Sequence, residues 1–350
     1  MINKVLVTGA GGYIGTVLVA KLLSQDYHVV ALDRFFFGKD KLQIHPNLQI
    51  VQEDTRRMHD TLLKGIDAVI DLAALSNDPS GEAFPDATWE INCSSRIGMA
   101  KMAQRMGVKR YILSSSCSVY GFHPPDQIVD EQSTINPLTV YAQANAEAEK
   151  GVLAIAEEQF AVTVVRLATV YGCSPRMRFD LAVNAMALGA WSKRVIPLMR
   201  GGEQWRPMLH VEDAAEAMCA VLKAEPDRVN RQIMNVGANE ANYQMRALAE
   251  DIASHLPKKT VIEWYGDEDH RSYRVDFSKI GRIVDWKAKR TALEGALQVY
   301  SALEQGRVAE TPDTYTIHWY RELQRWHAVL NEVCMYGGAL DLNLLAKESM

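Results

Sequence analysis

Three glycines at intervals of three, Gly9, Gly12 and Gly15, sit in the run Val5-Leu6-Val7-Thr8-Gly9-Ala10-Gly11-Gly12-Tyr13-Ile14-Gly15. Gly9 permits a tight turn out of a strand, Gly12 lets backbone N–H groups approach a pyrophosphate, and Gly15 lets the next helix pack close to the sheet. The phosphates then face the positive N-terminus of that helix. Glycines also serve ordinary turns, but both flanks set this triplet apart. Tyr13 to Ser24 carries apolar residues at helical spacing, and the next strand-like run, His28 to Leu32, ends at Asp33. A carboxylate there can bond ribose hydroxyls and would repel a 2′-phosphate, which favours NAD over NADP; Arg34 works partly against that preference. A second set of polar groups, Ser114, Ser115, Ser116 and Ser118, follows the fifth strand signal, where strand ends face a ligand crevice.

The elements that must hold these residues alternate. Strands are predicted at Lys4 to Thr8, His28 to Asp33, Leu48 to Val51, Ala68 to Ala73, Arg110 to Ser115 and Val162 to Leu167, with helical spacing between them. That rhythm predicts an α/β fold: a Rossmann doubly wound parallel sheet over residues 1–173. Past Ser174 the pattern loosens into helical stretches at 181–190, 211–222 and 243–255. Residues 174–205 and 238–312 read as a smaller mixed α/β substrate lobe, 206–237 as a return to the main sheet through Pro207 to His210 and Ile233 to Val236, and 313–350 as a helical tail.

The chain has 350 residues, 48% of them hydrophobic, and a formal net charge of -5, a balance that gives no basic field for nucleic acid. No stretch is long and apolar enough to span a bilayer, and the N-terminus enters a strand without a signal-peptide pattern. Five scattered cysteines, Cys93, Cys117, Cys173, Cys219 and Cys334, have neither C-x-x-C nor His-rich spacing. They read as reduced thiols of a cytoplasmic protein, with no metal site.

The ordered set of motifs resembles the nucleotide-sugar epimerases and dehydratases of the extended short-chain dehydrogenase/reductase family. It comprises the glycine run, Leu72-Ala73-Ala74, Asn92, Ser114-Ser115-Ser116-Cys117-Ser118-Val119-Tyr120-Gly121, the Tyr141 helix, Val165 to Gly172 and Trp205 to Asp213. The resemblance implies that Ser116 hydrogen-bonds the reacting sugar oxygen and that Tyr141 moves its proton as hydride passes to or from nicotinamide. A carbinol that loses hydride must also lose its hydroxyl proton, so a base within hydrogen-bond reach is required. The resemblance further places Tyr13, Ile14, Asp54, Thr55, Asn92, Ser114 and the Leu72–Ala74 turn around the cofactor. Ser118, Thr169, Arg176, Asn184, Arg206, Arg271 and Arg274 fall around a nucleoside diphosphate sugar, with Arg206 the strongest diphosphate candidate because guanidinium groups bind phosphate bidentately. The matching helices of the family, here about Asp86 to Met106 and Leu138 to Glu157, pair into a homodimer.

Two departures bear on the chemistry. The family motif is Tyr-x-x-x-Lys, whereas here Tyr141 is followed by Asn145. An amide can still bond a ribose but brings no charge, so the phenolate loses a partner worth about 1–3 pKa units. Three readings fit: an enzyme relying on the positive charge of nicotinamide, an altered or lost activity that leaves an NAD-binding regulator or scaffold, or an engineered exchange. In the 4,6-dehydratases an Asp-Glu pair follows the catalytic hydroxyl; here those positions are Cys117 and Ser118, which disfavours dehydration and leaves epimerisation or C4 oxidation and reduction.

Overall fold

The computed structural model describes residues 2–334. Its centre is a seven-stranded, wholly parallel sheet. In chain order β1 is Lys4–Thr8, β2 His28–Asp33, β3 Leu48–Gln52, β4 Ala68–Asp71 and β5 Arg110–Ser116; strands Ala161–Leu167 and Gln232–Val236 complete it. Across the sheet the order is β3, β2, β1, β4, β5, Ala161–Leu167, Gln232–Val236. The order reverses between β1 and β4, so the turns leaving their carboxyl ends diverge and open a crevice.

Apart from the exposed edge strand β3, the strands are largely apolar on both faces because both faces are covered, as a parallel sheet requires. Val5, Val7, Ala31, Ile70 and Ile112 pack with Leu18 and Leu22 of α1 (Tyr13–Leu23) and with helix Val211–Lys223. Leu6, Leu32, Val69, Leu113 and Val164 face the opposite layer. In chain order that side carries α2 (Asp78–Ala83), α3 (Pro85–Trp89), α4 (Arg96–Arg105) and α5 (Val140–Leu153), with a π-helical turn, Glu90–Ser95, joining α3 to α4. Each fully buried Leu or Ile here contributes about 1.5–3 kcal/mol relative to exposure. A separate apolar cluster unites helices Ala182–Lys193, Met245–His255 and Ala292–Glu304 beyond the carboxyl edge of the sheet.

The sequence expectation for 206–237 divides. Gln232–Val236 does join the main sheet, parallel to Ala161–Leu167. Trp205–His210 does not: it pairs parallel with Thr169–Tyr171 and antiparallel with Asn242–Gln244. Gln232–Val236 already occupies that edge of the sheet, and Pro207, lacking an N–H, suits a short peripheral ladder. The predicted strand Ala68 to Ala73 ends early at Asp71, since the Leu72 and Ala73 N–H groups donate to Thr8 Oγ1 at 3.2 and 3.1 Å. The helical tail is present as Thr316–Val333; the expectation for 335–350 lies outside the described residues.

Two buried polar chains tie the layers together. Thr8 Oγ1 donates to Asp71 Oδ1 at 2.5 Å, the Tyr111 hydroxyl donates to Asp71 Oδ2 at 2.5 Å, and that hydroxyl also lies 3.1 Å from the Arg96 carbonyl oxygen. Glu149 of α5 receives Arg166 of strand Ala161–Leu167 through Nη2 at 2.7 Å and Nε at 3.0 Å, and also the Ser115 hydroxyl. Both ions are almost wholly buried. Removing one partner of such a pair strands the other in a dry interior. Glu149→Ala is therefore expected to lower unfolding stability by about 3–5 kcal/mol, as read from the midpoint shift in urea denaturation. A loss below about 1 kcal/mol would show that α5 is held by packing alone.

Candidate active site

The carboxyl edge of the sheet and the smaller lobe enclose a cleft of about 860 Å³. Its floor is the turn after β1. Gly9 has φ +65°, and a Cβ there would lie 2.8 Å from the Ala73 nitrogen; a Cβ on Gly15 would overlap the Gly9 carbonyl. The turn from β1 into α1 thus admits only glycine where the backbones cross. Gly12 is the extended residue before α1 and lines the cleft, so the first N–H groups of the helix face it.

Asp33, at the end of β2, accepts the Gly11 N–H at 3.0 Å and the Phe35 N–H at 2.6 Å. Burial pushes its carboxyl above the usual range and these donors partly offset that. Arg34 is drawn away from Asp33: it donates to Asp54 at 2.9 Å and stacks on the Phe36 ring. Asp54 also holds Arg56, and that ion pair lowers its carboxyl to about 2. Ile14, Thr55 and the Leu72–Ala74 turn complete this wall.

At the other end of the cleft, Ser114, Ser116 and Ser118 line the wall after β5, facing Tyr141 at the first turn of α5. Thr139 starts that helix: its Oγ1 accepts the Ala142 N–H and donates to Asp78 Oδ1 at 2.5 Å. α2 packs so tightly on Tyr141 that a Cβ on Gly81 would lie 3.1 Å from the Tyr141 Cβ. Burial pushes the Tyr141 phenol up; Arg96 pulls it down, Asp78 pushes it up, and Ser116 and Arg178 pull it down.

The arginines of the smaller lobe form a linked array. Arg206 Nη2 donates to Asp269 at 2.7 Å, and Arg271 binds Asp269 through Nε at 2.8 Å while its Nη1 reaches Asp78. Arg176 lies 3.7 Å above the Phe37 ring and donates to Thr316 Oγ1; burial pulls its guanidinium down to about 10, still a cation at neutral pH. All three line the cleft with Thr169.

Four expected residues lie elsewhere. Asn92 is buried and holds both the Leu75 N–H and the Leu75 carbonyl. Asn184 is buried between the Gly172 N–H, the Tyr13 hydroxyl and the Arg178 carbonyl. Arg274 leaves the cleft, stacks on Trp205 and donates to Pro125 O. Asn145 is 1% exposed and cannot reach a ribose directly: its Oδ1 accepts from Arg96 Nη1 at 2.8 Å and its Nδ2 donates to the Tyr141 carbonyl at 2.9 Å. Buried amides spend their donors and acceptors on the chain, which removes them from a ligand. Tyr13 does line the cleft, with its hydroxyl donating to Gly172 O at 2.6 Å.

Sequence reasoning missed Arg96, Asp78, Asp269 and the tail. Tyr320 packs against Phe36, Phe37 and Phe84, and Trp319 Nε1 donates to the Phe36 carbonyl at 2.6 Å. The aromatics Phe36 and Tyr320 stand in separate parts of the chain, so no local spacing links them. Arg96 had a local signal: a charge one helical turn after Asn92, on the same helix face. Among the described residues the five cysteines are unpaired, no cluster of three metal-ligating side chains occurs, and no helix is long and apolar enough to cross a membrane.

The NAD-dependent epimerase/dehydratase family model matches residues 5–237, more than half of the chain, and the protein belongs to that family. Among curated relatives, UDP-glucuronic acid decarboxylase 1 of Arabidopsis thaliana is 26% identical over 314 residues, spanning 85% of this chain and 69% of its own. The uncharacterized UDP-glucose epimerase YtcB of Bacillus subtilis is 26% identical, spanning 87% of this chain and 99% of its own. Among solved structures, MoeE5 in complex with UDP-glucuronic acid and NAD superposes with a TM-score of 0.75 at 26% identity, covering 87% of this chain and all of that one. UDP-glucuronic acid 4-epimerase from Bacillus cereus, at 22% identity and a TM-score of 0.76 over 86% of this chain and 99% of its own, shares the fold. The family's dependence on NAD agrees with the glycine turn and Asp33. With Arg34 held by Asp54, NAD is expected to bind at least tenfold more tightly than NADP, about 1.4 kcal/mol, in calorimetric titration. Equal affinities would mean that Arg34 leaves Asp54 to accommodate the phosphate.

Proposed function

We propose that the protein is an NAD-dependent epimerase or C4 dehydrogenase/reductase of a nucleoside diphosphate sugar. The observation that carries this reading is the shared cleft: Ser116 and Tyr141 face it beside the Leu72–Ala74 turn, and Arg206 and Arg271 line it too. Bound NAD would supply the hydride acceptor and donor. Ser116 and Tyr141 would hold the sugar hydroxyl between them. The Tyr141 oxygen takes the hydroxyl proton as the carbon is oxidised and returns it when the carbonyl is reduced. Arg206 and Arg271 would meet the diphosphate with charge already oriented by Asp269. Glycine-lined backbone at the helix N-terminus would take the cofactor pyrophosphate.

Dehydration is poorly supported. Cys117 is buried, directs its thiol to the Arg166 carbonyl and has its pKa pushed far up by burial. Of the carboxylates that line the cleft, Asp33, Glu53 and Asp54 lie at its other end, and Asp78, Asp180 and Asp269 are each engaged by arginine, which leaves Ser116 without a free elimination acid or base. Asn145 motivates a second reading, an NAD-binding regulator or scaffold without turnover. A nicotinamide absorbance change on adding any UDP-, GDP-, CDP- or dTDP-sugar would exclude it.

Tyr141→Phe is expected to lower hydride transfer by about 10²–10⁴-fold while leaving NAD affinity within about twofold. A variant retaining parental turnover would remove Tyr141 from the reaction. The reading extends to a homodimer through the segments from about Asp86 to Met106 and from Leu138 to Glu157, where Trp89 and Leu138 are exposed. Light scattering at micromolar concentration is expected to give twice the chain mass, and a monomer would refute this part.

A further inference from the structure

We propose that Arg96 supplies Tyr141 with the positive charge that Asn145 cannot, so that the cation serving the reacting phenol stands on α4 instead of α5. The inference rests on the reading of Tyr141 as acid and base, and deepens it. Arg96 is 3% exposed, yet it contributes to the cleft wall. Its Nε donates to the Ala73 carbonyl at 3.0 Å and its Nη1 to Asn145 Oδ1 at 2.8 Å. Asn145 Nδ2 in turn donates to the Tyr141 carbonyl at 2.9 Å. These three bonds hold the guanidinium against the first turn of α5 and leave Nη2 without a protein partner among the described residues.

The other charges around Tyr141 are already committed. On α2, Asp78 is held by Arg271 and Thr139, and Glu82 accepts the Val140 N–H. Arg178 pairs with Asp180. On α5 itself Glu149 pairs with Arg166 and Glu147 with Lys150. On the preceding helical run Glu90 pairs with Arg56, and Asp86 is exposed. Arg96 has no carboxylate partner among the described residues. A buried cation without a counter-ion strongly favours a neighbouring anion, and the phenolate of Tyr141 is the anion from which the proposed proton transfer starts. In keeping with this, Arg96 is the foremost group pulling the Tyr141 phenol down against burial.

Asn145 fits this arrangement on its own terms. A lysine there would set a second buried ammonium against the Arg96 guanidinium, whereas the amide accepts from Arg96 on one side and donates to the Tyr141 turn on the other. The exchange at Asn145 therefore goes with a relocated charge rather than a missing one.

The test is a titration of the Tyr141 phenol in the NAD-saturated protein. Tyrosine is replaced by 3-fluorotyrosine, whose phenol is more acidic, and the Tyr141 fluorine resonance is assigned by its loss in Tyr141→Phe. Arg96→Met is expected to raise the midpoint by about 1 pH unit or more, because loss of a cation destabilises phenolate. Adding Asn145→Lys to Arg96→Met is expected to bring it back down by a similar amount, while Arg96→Lys stays within about 0.5 unit of the parent. If Arg96→Met fails to fold, judged by circular dichroism, Arg96→Gln keeps a donor for Asn145 and removes the charge. A midpoint that moves by less than about 0.3 unit in the folded neutral variant overturns the proposal, as does Asn145→Lys lowering it equally with and without Arg96. No sugar nucleotide enters this measurement, so it stands apart from the turnover assays that test the reading beneath it.

Discussion

The hydrogen-bond chain from Thr8 through Asp71 to Tyr111 governs how the cleft is built. It lies where the strand order reverses, the one place where a parallel sheet parts its carboxyl-edge turns. Thr8 turns the chain out of β4 by accepting two N–H groups, Asp71 receives the hydroxyls of Thr8 and Tyr111, and Tyr111 touches the backbone of Arg96. The crevice floor, β5 and the root of α4 thus share one buried polar cluster. Such clusters stabilise a fold only when every member is satisfied, so these positions tolerate little exchange.

A second constraint is electrostatic. Asp78 supports the start of α5 through Thr139 and also anchors Arg271, whose other partner, Asp269, orients Arg206. The groups that would meet a diphosphate are thereby continuous with the helix that carries Tyr141. A dianion entering this array competes with two carboxylates for the same guanidinium groups, and any movement of Arg271 is felt by the Thr139 cap. The arginine array and the first turn of α5 are thus mechanically connected.

Much of this was legible in the residues. Gly9, Gly15 and Asp33 carry their meaning locally, because a tight turn and a strand-end carboxylate are set by neighbours in sequence. Ser116 and Tyr141 were read from the resemblance to a family, whose tyrosine motif is broken here at Asn145. Asn92, Asn184 and Arg274 were misplaced because a polar residue near a motif reads the same whether it faces a ligand or a backbone amide; only burial separates the two. The roles of Asn145 and Arg96 were illegible for a related reason. They lie 49 positions apart and meet only when α4 packs on α5. A departure from a motif invites interpretation at its own position, while its complement sits on another helix.

The tail helix has a consequence for traffic through the site. Trp319 bonds the backbone at Phe36, Tyr320 covers the same aromatic group, and Thr316 holds Arg176. Together they roof the end of the cleft where Asp33 lies. A molecule seated on Asp33 would leave by that end only after several of these contacts break together, so the tail helix would slow its release. A chemistry that restores its coenzyme within each cycle would gain from such a roof, whereas one that leaves the coenzyme reduced would be slowed by it.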